Sequence, residues 1–212
     1  MARTPSGTWG RFQDLVFSDL QRYRPGEASW LKVAVRCITL PGLIASVLLR
    51  AQQCLWDSGL KQPAQALRTV GVVLLGVDFV PGAKIGRGLL LAHPNGVTIG
   101  TPGLTIGDDV SFAGGVTCAA RYPDERMSGQ DFATIRDGAI IGAHAVLVGP
   151  VTIGRNALVG ANSVVLSDVP DDAVVMGNPA RRIGTREEGT YGTGAAPEKA
   201  QSSDAAGGSR SA

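Results

Sequence analysis

Apolar and polar positions follow two different rhythms along the chain, and the change falls near residue 76. Between Phe12 and Tyr23 the apolar residues Phe12, Leu15, Val16 and Leu20 recur at helical spacing. A second helical pattern follows Ser29, whose hydroxyl suits an N-cap. Pro41 lacks a backbone N–H and predicts a break between two helices. The next pattern covers Leu43 to Trp56 and stops at Gly59, and a last helix is predicted from about Pro63 to Leu75. Residues 1–76 therefore read as an α-helical region.

From Asp78 to Gly184 the rhythm is neither 3.6 nor 2. Ile135, Ile141, Leu147, Ile153, Val159 and Val165 are aliphatic and stand six apart. Glycine follows at 142, 154 and 160, and small residues (Ala139, Ala145, Val151, Ala157, Ser163) stand four positions after each aliphatic one. Ile85, Leu91 and Val97, then Ile106, Phe112 and Cys118, keep the same step. The frame slips by three residues at "TPG" and is broken by the insert "AARYPDERMSGQDFAT". A period of six predicts a hexapeptide coil: three short strands and three tight turns per triangular turn, with the aliphatic residue pointing inward. A solenoid of this kind buries a core only by stacking and needs caps at both ends. The helices can close one end and "DVPDDAVVMGNPARRIG" the other. The organisation expected is an α-helical region at 1–76, a parallel β-helix at 77–184 and a disordered tail at 185–212, poor in residues that could build a core.

Composition narrows the functional classes. The 20 basic and 18 acidic residues nearly balance, so nucleic-acid binding through a basic surface is not indicated. Three scattered cysteines, Cys37, Cys54 and Cys118, offer neither a disulfide framework nor zinc spacing, and a reducing, cytoplasmic setting follows. The N-terminus lacks a signal-peptide pattern, and the most apolar run, Val33 to Leu49, is shorter than the ~20 residues of a spanning helix. A zinc hydrolase built on the same coil with three histidine ligands is excluded, because the chain has two histidines.

One of the two histidines, His93, stands in "LLLAHPNGVTIG", just before a Pro-Asn-Gly turn. Read as inward rungs, Leu91 and Val97 place His93 on the turn between them, directed away from the core. Asp78 precedes it by 15 residues, close to one coil of 18, although an aspartate there could equally cap the first coil. His144 falls at another coil turn, where many repeats carry an arbitrary residue.

The segment "VDFVPGAKIGRGLLLAHPNGVTIG", the C-terminal run "IIGAHAVLVGPVTIGRNALVGANSVVLSDVPDDAVVMGNPARRIG" and the helical stretch "PGLIASVLLRAQQCLWDSG" resemble serine acetyltransferases over roughly Phe17 to Gly184. The resemblance implies a mainly β fold with an α N-terminal region, a left-handed parallel β-helix capped by helices. It also implies an acetyl-CoA-dependent O-acetyltransferase without a metal. His93 would be the general base on an acceptor hydroxyl and Asp78 the carboxylate that orients it. Gly114 and Gly115 would offer backbone N–H groups to the oxyanion. Acetyl-CoA would lie along an intersubunit groove bounded by Gly142, Ala143, Gly160 and Ala161, with Pro179, Arg181 and Arg182 at its far end. The groove implies a homotrimer, or a dimer of trimers.

The chain departs from the family pattern where the family holds its acceptor. Ala92 replaces the aspartate before the catalytic histidine, and Asp131 and Phe132 replace the Arg-His pair of the insert. The C-terminal isoleucine that docks some members onto a partner enzyme is absent. These departures lead to the expectation of a sugar or other small-metabolite hydroxyl as acceptor. A serine acetyltransferase with an altered pocket and an inactive trimeric scaffold stand as alternatives.

Overall fold

A computed structural model describes residues 7–100, 103–120 and 132–186. Four helices open it: α1 (Thr8–Tyr23), α2 (Trp30–Thr39), α3 (Pro41–Asp57) and α4 (Lys61–Val70). A wide π-type turn, Gly71–Leu75, follows α4 and ends at Gly76 in the left-handed region (φ 63°). The Ser29 hydroxyl accepts from the Lys32 N–H at 3.3 Å, as an N-cap should, and Pro41 occupies the first turn of α3.

Five triangular coils follow. The first comprises β1 (Asp78–Phe79), β2 (Lys84–Ile85) and β3 (Leu90–Leu91), and the second β4 (Thr98–Ile99), β5 (Thr105–Ile106) and β6 (Ser111–Phe112). The third holds β7 (Thr117–Ala119), β8 (Thr134–Ile135) and β9 (Ile140–Ile141), and the fourth β10 (Val146–Val148), β11 (Thr152–Ile153) and β12 (Leu158–Val159). The last contains β13 (Val164–Val165), a bridge from Ile153 to Val169, and β14 (Ala173–Met176), closed by the antiparallel β15 (Arg181–Thr185). Strands stack in parallel into three faces: face A is β1-β4-β7-β10-β13, face B is β2-β5-β8-β11, and face C is β3-β6-β9-β12-β14 with β15 at its edge.

The register corrects one rung. Phe79, Ile99, Cys118, Leu147 and Val165 form the inward column of face A, so Ile99 is the rung and Val97 is not. Val97 takes the buried corner site two residues earlier, as Val116, Ala145 and Ser163 do in later coils. Eight residues, not six, separate Leu91 from Ile99, and seven separate Ile99 from Ile106. Part of the slip seen at "TPG" is therefore a two-residue lengthening of the corner that carries His93.

The helices are welded to the coils by polar groups that an apolar period cannot reveal. Arg50 and Asp19 are both fully buried and pair in bidentate fashion, at 2.8 and 2.9 Å. Arg50 also donates to the carbonyls of Ile85 (3.1 Å) and Gly86 (2.6 Å), and Asp19 accepts from the Leu89 N–H at 2.8 Å. Burial pushes the Asp19 carboxyl upward, against the pull of the Arg50 charge. Each group thus meets a charged partner and further hydrogen bonds, the condition under which a buried pair is tolerated. Arg22, one turn on, donates to the Asp109 carbonyl and the Ser111 hydroxyl. The apolar side of α1 meanwhile packs Val16 and Leu20 against Val33 and Leu43.

Candidate active site

The three faces meet at three edges, and the edge from face C to face A gathers most of the residues singled out in the sequence. In chain order its corners are 92–96, 113–115, 142–144, 160–162 and 177–179. Corner backbone groups link one coil to the next: the Gly115 N–H donates to the Asn95 carbonyl, His144 to Gly114 and Asn162 to Ala143. With ~4.8 Å per strand spacing, His93 and Ala161 lie roughly 14 Å apart along this edge.

His93 is exposed, with φ 85°, and lines a cavity of about 700 Å³. A positive φ is uncommon for a residue with a side chain, but the corners of this solenoid hold it also at Asp109, His144, Asn156, Asn162 and Asp172. The cavity floor is Leu91 to Asn95 with Gly114 and Gly115, its far end is His144, and its wall is Tyr23 with Thr39 to Gly42. The wall is fixed by Tyr23, whose hydroxyl donates to the Leu91 carbonyl and accepts from the Leu91 N–H, both at 3.0 Å. Burial pushes the Tyr23 phenol up to about 12, so it stays a neutral donor. Gly114 must be glycine, since a Cβ there would stand 2.7 Å from the His93 carbonyl oxygen. Neither imidazole has a hydrogen-bond partner among the described residues, which leaves both for a ligand.

Asp78, the carboxylate expected to orient His93, has Arg68 as its partner in this structure. It opens the first coil on face A, and His93 closes that same coil. Its N–H donates to the Val97 carbonyl, which keeps it near the C/A edge. Both of its carboxylate oxygens, however, are taken by Arg68 of α4, at 2.5 and 2.8 Å, and it faces a separate cavity lined by Gln62, Gln65 and Thr69. No Asp78–His93 hydrogen bond is present.

The small residues of the edge also divide. A Cβ on Gly142 would stand 2.6 Å from the Ala161 nitrogen, so this glycine serves the stacking of coils. Gly160 is likewise covered by the Met176 side chain. Ala143 and Ala161 face outward, and Ala161 is exposed. Pro179 follows a cis bond in the turn between β14 and β15, with Arg181 and Arg182 exposed beyond it. Phe132 is buried in the coil core, whereas Asp131 and the tail from 187 onward lie outside the described residues.

His144, read in the sequence as an arbitrary turn residue, and the helical wall, not foreseen there, both line this cavity. A signal for His144 did exist. Leu91, Phe112, Ile141 and Val159 are every third rung, and both histidines follow a rung of this one column, at +2 and +3. Tyr23 and Thr39 carried no such signal, because the docking of the helices is not written in a period.

The model "Bacterial transferase hexapeptide (six repeats)" matches residues 132–167. The chain is 36% identical to serine acetyltransferase 4 of Arabidopsis thaliana over 83% of its own length and 48% of the relative's. Among solved structures, Neisseria gonorrhoeae serine acetyltransferase superposes with a TM-score of 0.74 at 30% identity, covering 84% of this chain and 66% of that one. Soybean serine acetyltransferase in complex with serine superposes at 0.71 and 32% identity, covering 81% and 69%. The chain belongs to the serine acetyltransferase-like family of hexapeptide-repeat acyltransferases, and it shares the left-handed parallel β-helix of those neighbours. It spans about half the length of the Arabidopsis relatives it matches. These relatives overturn the expected sugar or small-metabolite acceptor, since the proteins that the chain resembles over most of its length are serine acetyltransferases.

Proposed function

We propose that the protein is a serine O-acetyltransferase using acetyl-CoA, with an acceptor pocket altered at Ala92. The observation that carries this reading is the position of His93, unpaired in a cavity at the C/A edge, in a chain of this family. His93 accepts the serine hydroxyl proton as the hydroxyl oxygen attacks the thioester carbonyl, a transfer worth ~10²–10⁴-fold. The carbon–sulfur bond then breaks and the imidazolium returns its proton to the departing CoA sulfur. The Gly115 N–H is already spent on the Asn95 carbonyl, so of this pair the Gly114 N–H is the one proposed to meet the oxyanion. Asp78 orients the imidazole only if Arg68 releases one of its oxygens.

CoA is proposed to run up the C/A edge, past Ala143 and Ala161, toward Arg181 and Arg182, whose exposed guanidinium groups suit phosphates. A second subunit completes the groove, which makes the working form a trimer. No helix among the described residues is long and apolar enough to cross a membrane. The test is direct: the protein, acetyl-CoA and serine are incubated, and acetylserine is measured by mass together with free CoA thiol. Stoichiometric formation of both is expected. CoA release without acetylserine would overturn the acceptor assignment.

A further inference from the structure

Asp78 stands between two cations, one permanent and one transient. The permanent one is brought to it by the π-type turn. Arg68 lies in the last turn of α4, and the wide turn Gly71–Leu75 folds the chain back so that residue 78 meets residue 68. The turn is held from both sides: the Val77 N–H donates to the Gly71 carbonyl at 3.2 Å, and the Gly96 N–H, on the corner of His93, donates to the Gly76 carbonyl at 2.7 Å. Arg68 then meets Asp78 with two N–H groups, at 2.5 and 2.8 Å, and this hydrogen bonding raises the guanidinium pKa above its ordinary value. The transient cation is the imidazolium that His93 becomes as it takes the acceptor proton.

The contest between them is uneven. A guanidinium is charged throughout the cycle, and its planar fork fits both carboxylate oxygens. An imidazolium offers one N–H to the same carboxylate and exists only around the transition state. An Asp78 oxygen that reached the ring would bring Arg68 with it, and a carboxylate beside a guanidinium carries no net charge with which to stabilise an imidazolium. The two groups also face different cavities. Asp78 shares its cavity with Gln62, Gln65 and Thr69, and Arg68 is the one charged side chain beside it there among the described residues. In the cavity of His93 the other titratable groups among the described residues are Tyr23 and His144.

We propose that Arg68 is a positioning residue that holds Asp78 off His93, so that the base acts without a carboxylate partner. This rests on His93 being the base of acetyl transfer to serine. The variants are Asp78→Asn, Arg68→Met and the two combined, each assayed for acetylserine across pH. Asp78→Asn should keep kcat within a few-fold of wild type, where a base that depends on its carboxylate loses ~10⁴-fold. Arg68→Met removes the fork and keeps the apolar stem. It frees Asp78 for the ring, and an opposite charge favours the imidazolium, so the acid limb of kcat/KM should move up by about one pH unit. The double variant should return the limb to its wild-type position. Both side chains of the pair are about a third exposed, so melting midpoints should barely move. A loss of ~10²-fold or more in Asp78→Asn, or an acid limb that Arg68→Met leaves in place, overturns the inference. Either result is obtained with a wild type that makes acetylserine, and so leaves the serine reading standing. A wild type that makes none overturns that reading first, and the inference with it.

Discussion

Two edges of the same prism carry opposite chemistry. At the edge from face B to face C, three corner N–H groups are closed by the chain's own carboxylates: Asp108 accepts from the Arg87 N–H (2.7 Å), Asp137 from Asp108 (2.9 Å) and Asp171 from Arg155 (2.7 Å). Asp19 continues the column downward through Leu89, backed by Arg50. At the edge from C to A the described corners hold no carboxylate. They hold glycine, alanine, asparagine, proline and two unpaired imidazoles. Stacked backbone needs only to be satisfied, and a corner that satisfies itself is structural. A corner left with small residues and free donors is open to a ligand. The comparison therefore separates residues that build the solenoid from residues that use it.

Breaking the structural edge at its base should have the largest effect. Asp19→Ala leaves Arg50 buried and unpaired, and a loss of about 3–5 kcal/mol is expected in chemical denaturation. The kcat of the molecules that remain folded should be unchanged. Gly142→Ala tests whether that C/A glycine serves packing: a methyl driven against the Ala161 backbone should cost about 1–3 kcal/mol. If it leaves stability intact but weakens acetyl-CoA binding, the glycine belongs to the groove instead. Asp137→Ala removes one rung of the carboxylate column at an exposed corner and should cost about 1 kcal/mol, with no effect on KM for either substrate. The mildest test concerns the thiols. Cys118 is an inward rung of face A, and burial pushes its thiol up to about 12. A thiol reagent at pH 8 should modify the partly exposed Cys37 and Cys54 in the native protein and reach Cys118 only after unfolding.

Alkaline stability follows from Tyr23. Its folded value near 12 lies above the ordinary 10, so the unfolded chain ionises first. Its contribution is full below pH 10 and declines as pH rises toward 12, which an alkaline denaturation series compared with Tyr23→Phe would display.

The regular half of the solenoid was legible because each rung obeys the same local rule, and a period of six admits few other folds. Helix boundaries were legible where a single residue decides them, as at Ser29, Pro41 and Gly59. The last helix was drawn too long, since Gly71–Leu75 relaxes into a π-type turn that no apolar pattern distinguishes. The misplaced rung at Val97 has a similar cause: both the corner and the rung of a coil accept valine, and only the ladder pairing tells them apart. His93 was found through its neighbours in sequence. That His144 lines the same cavity was not legible, because the stacking of coils brings it near His93, and a linear reading weighs the residues beside it instead. The acceptor was misjudged because the losses at Ala92 and Phe132 were weighed above the likeness of the chain as a whole to serine acetyltransferases.

The central claim is that the lengthened corner of the C/A edge carries the base. His93→Asn tests it most directly, because asparagine tolerates the corner's positive φ and keeps the fold while removing the imidazole. With acetyl-CoA and serine saturating, kcat should fall ~10²–10⁴-fold at an unchanged melting midpoint. A variant that turns over within a few-fold of wild type would contradict the account.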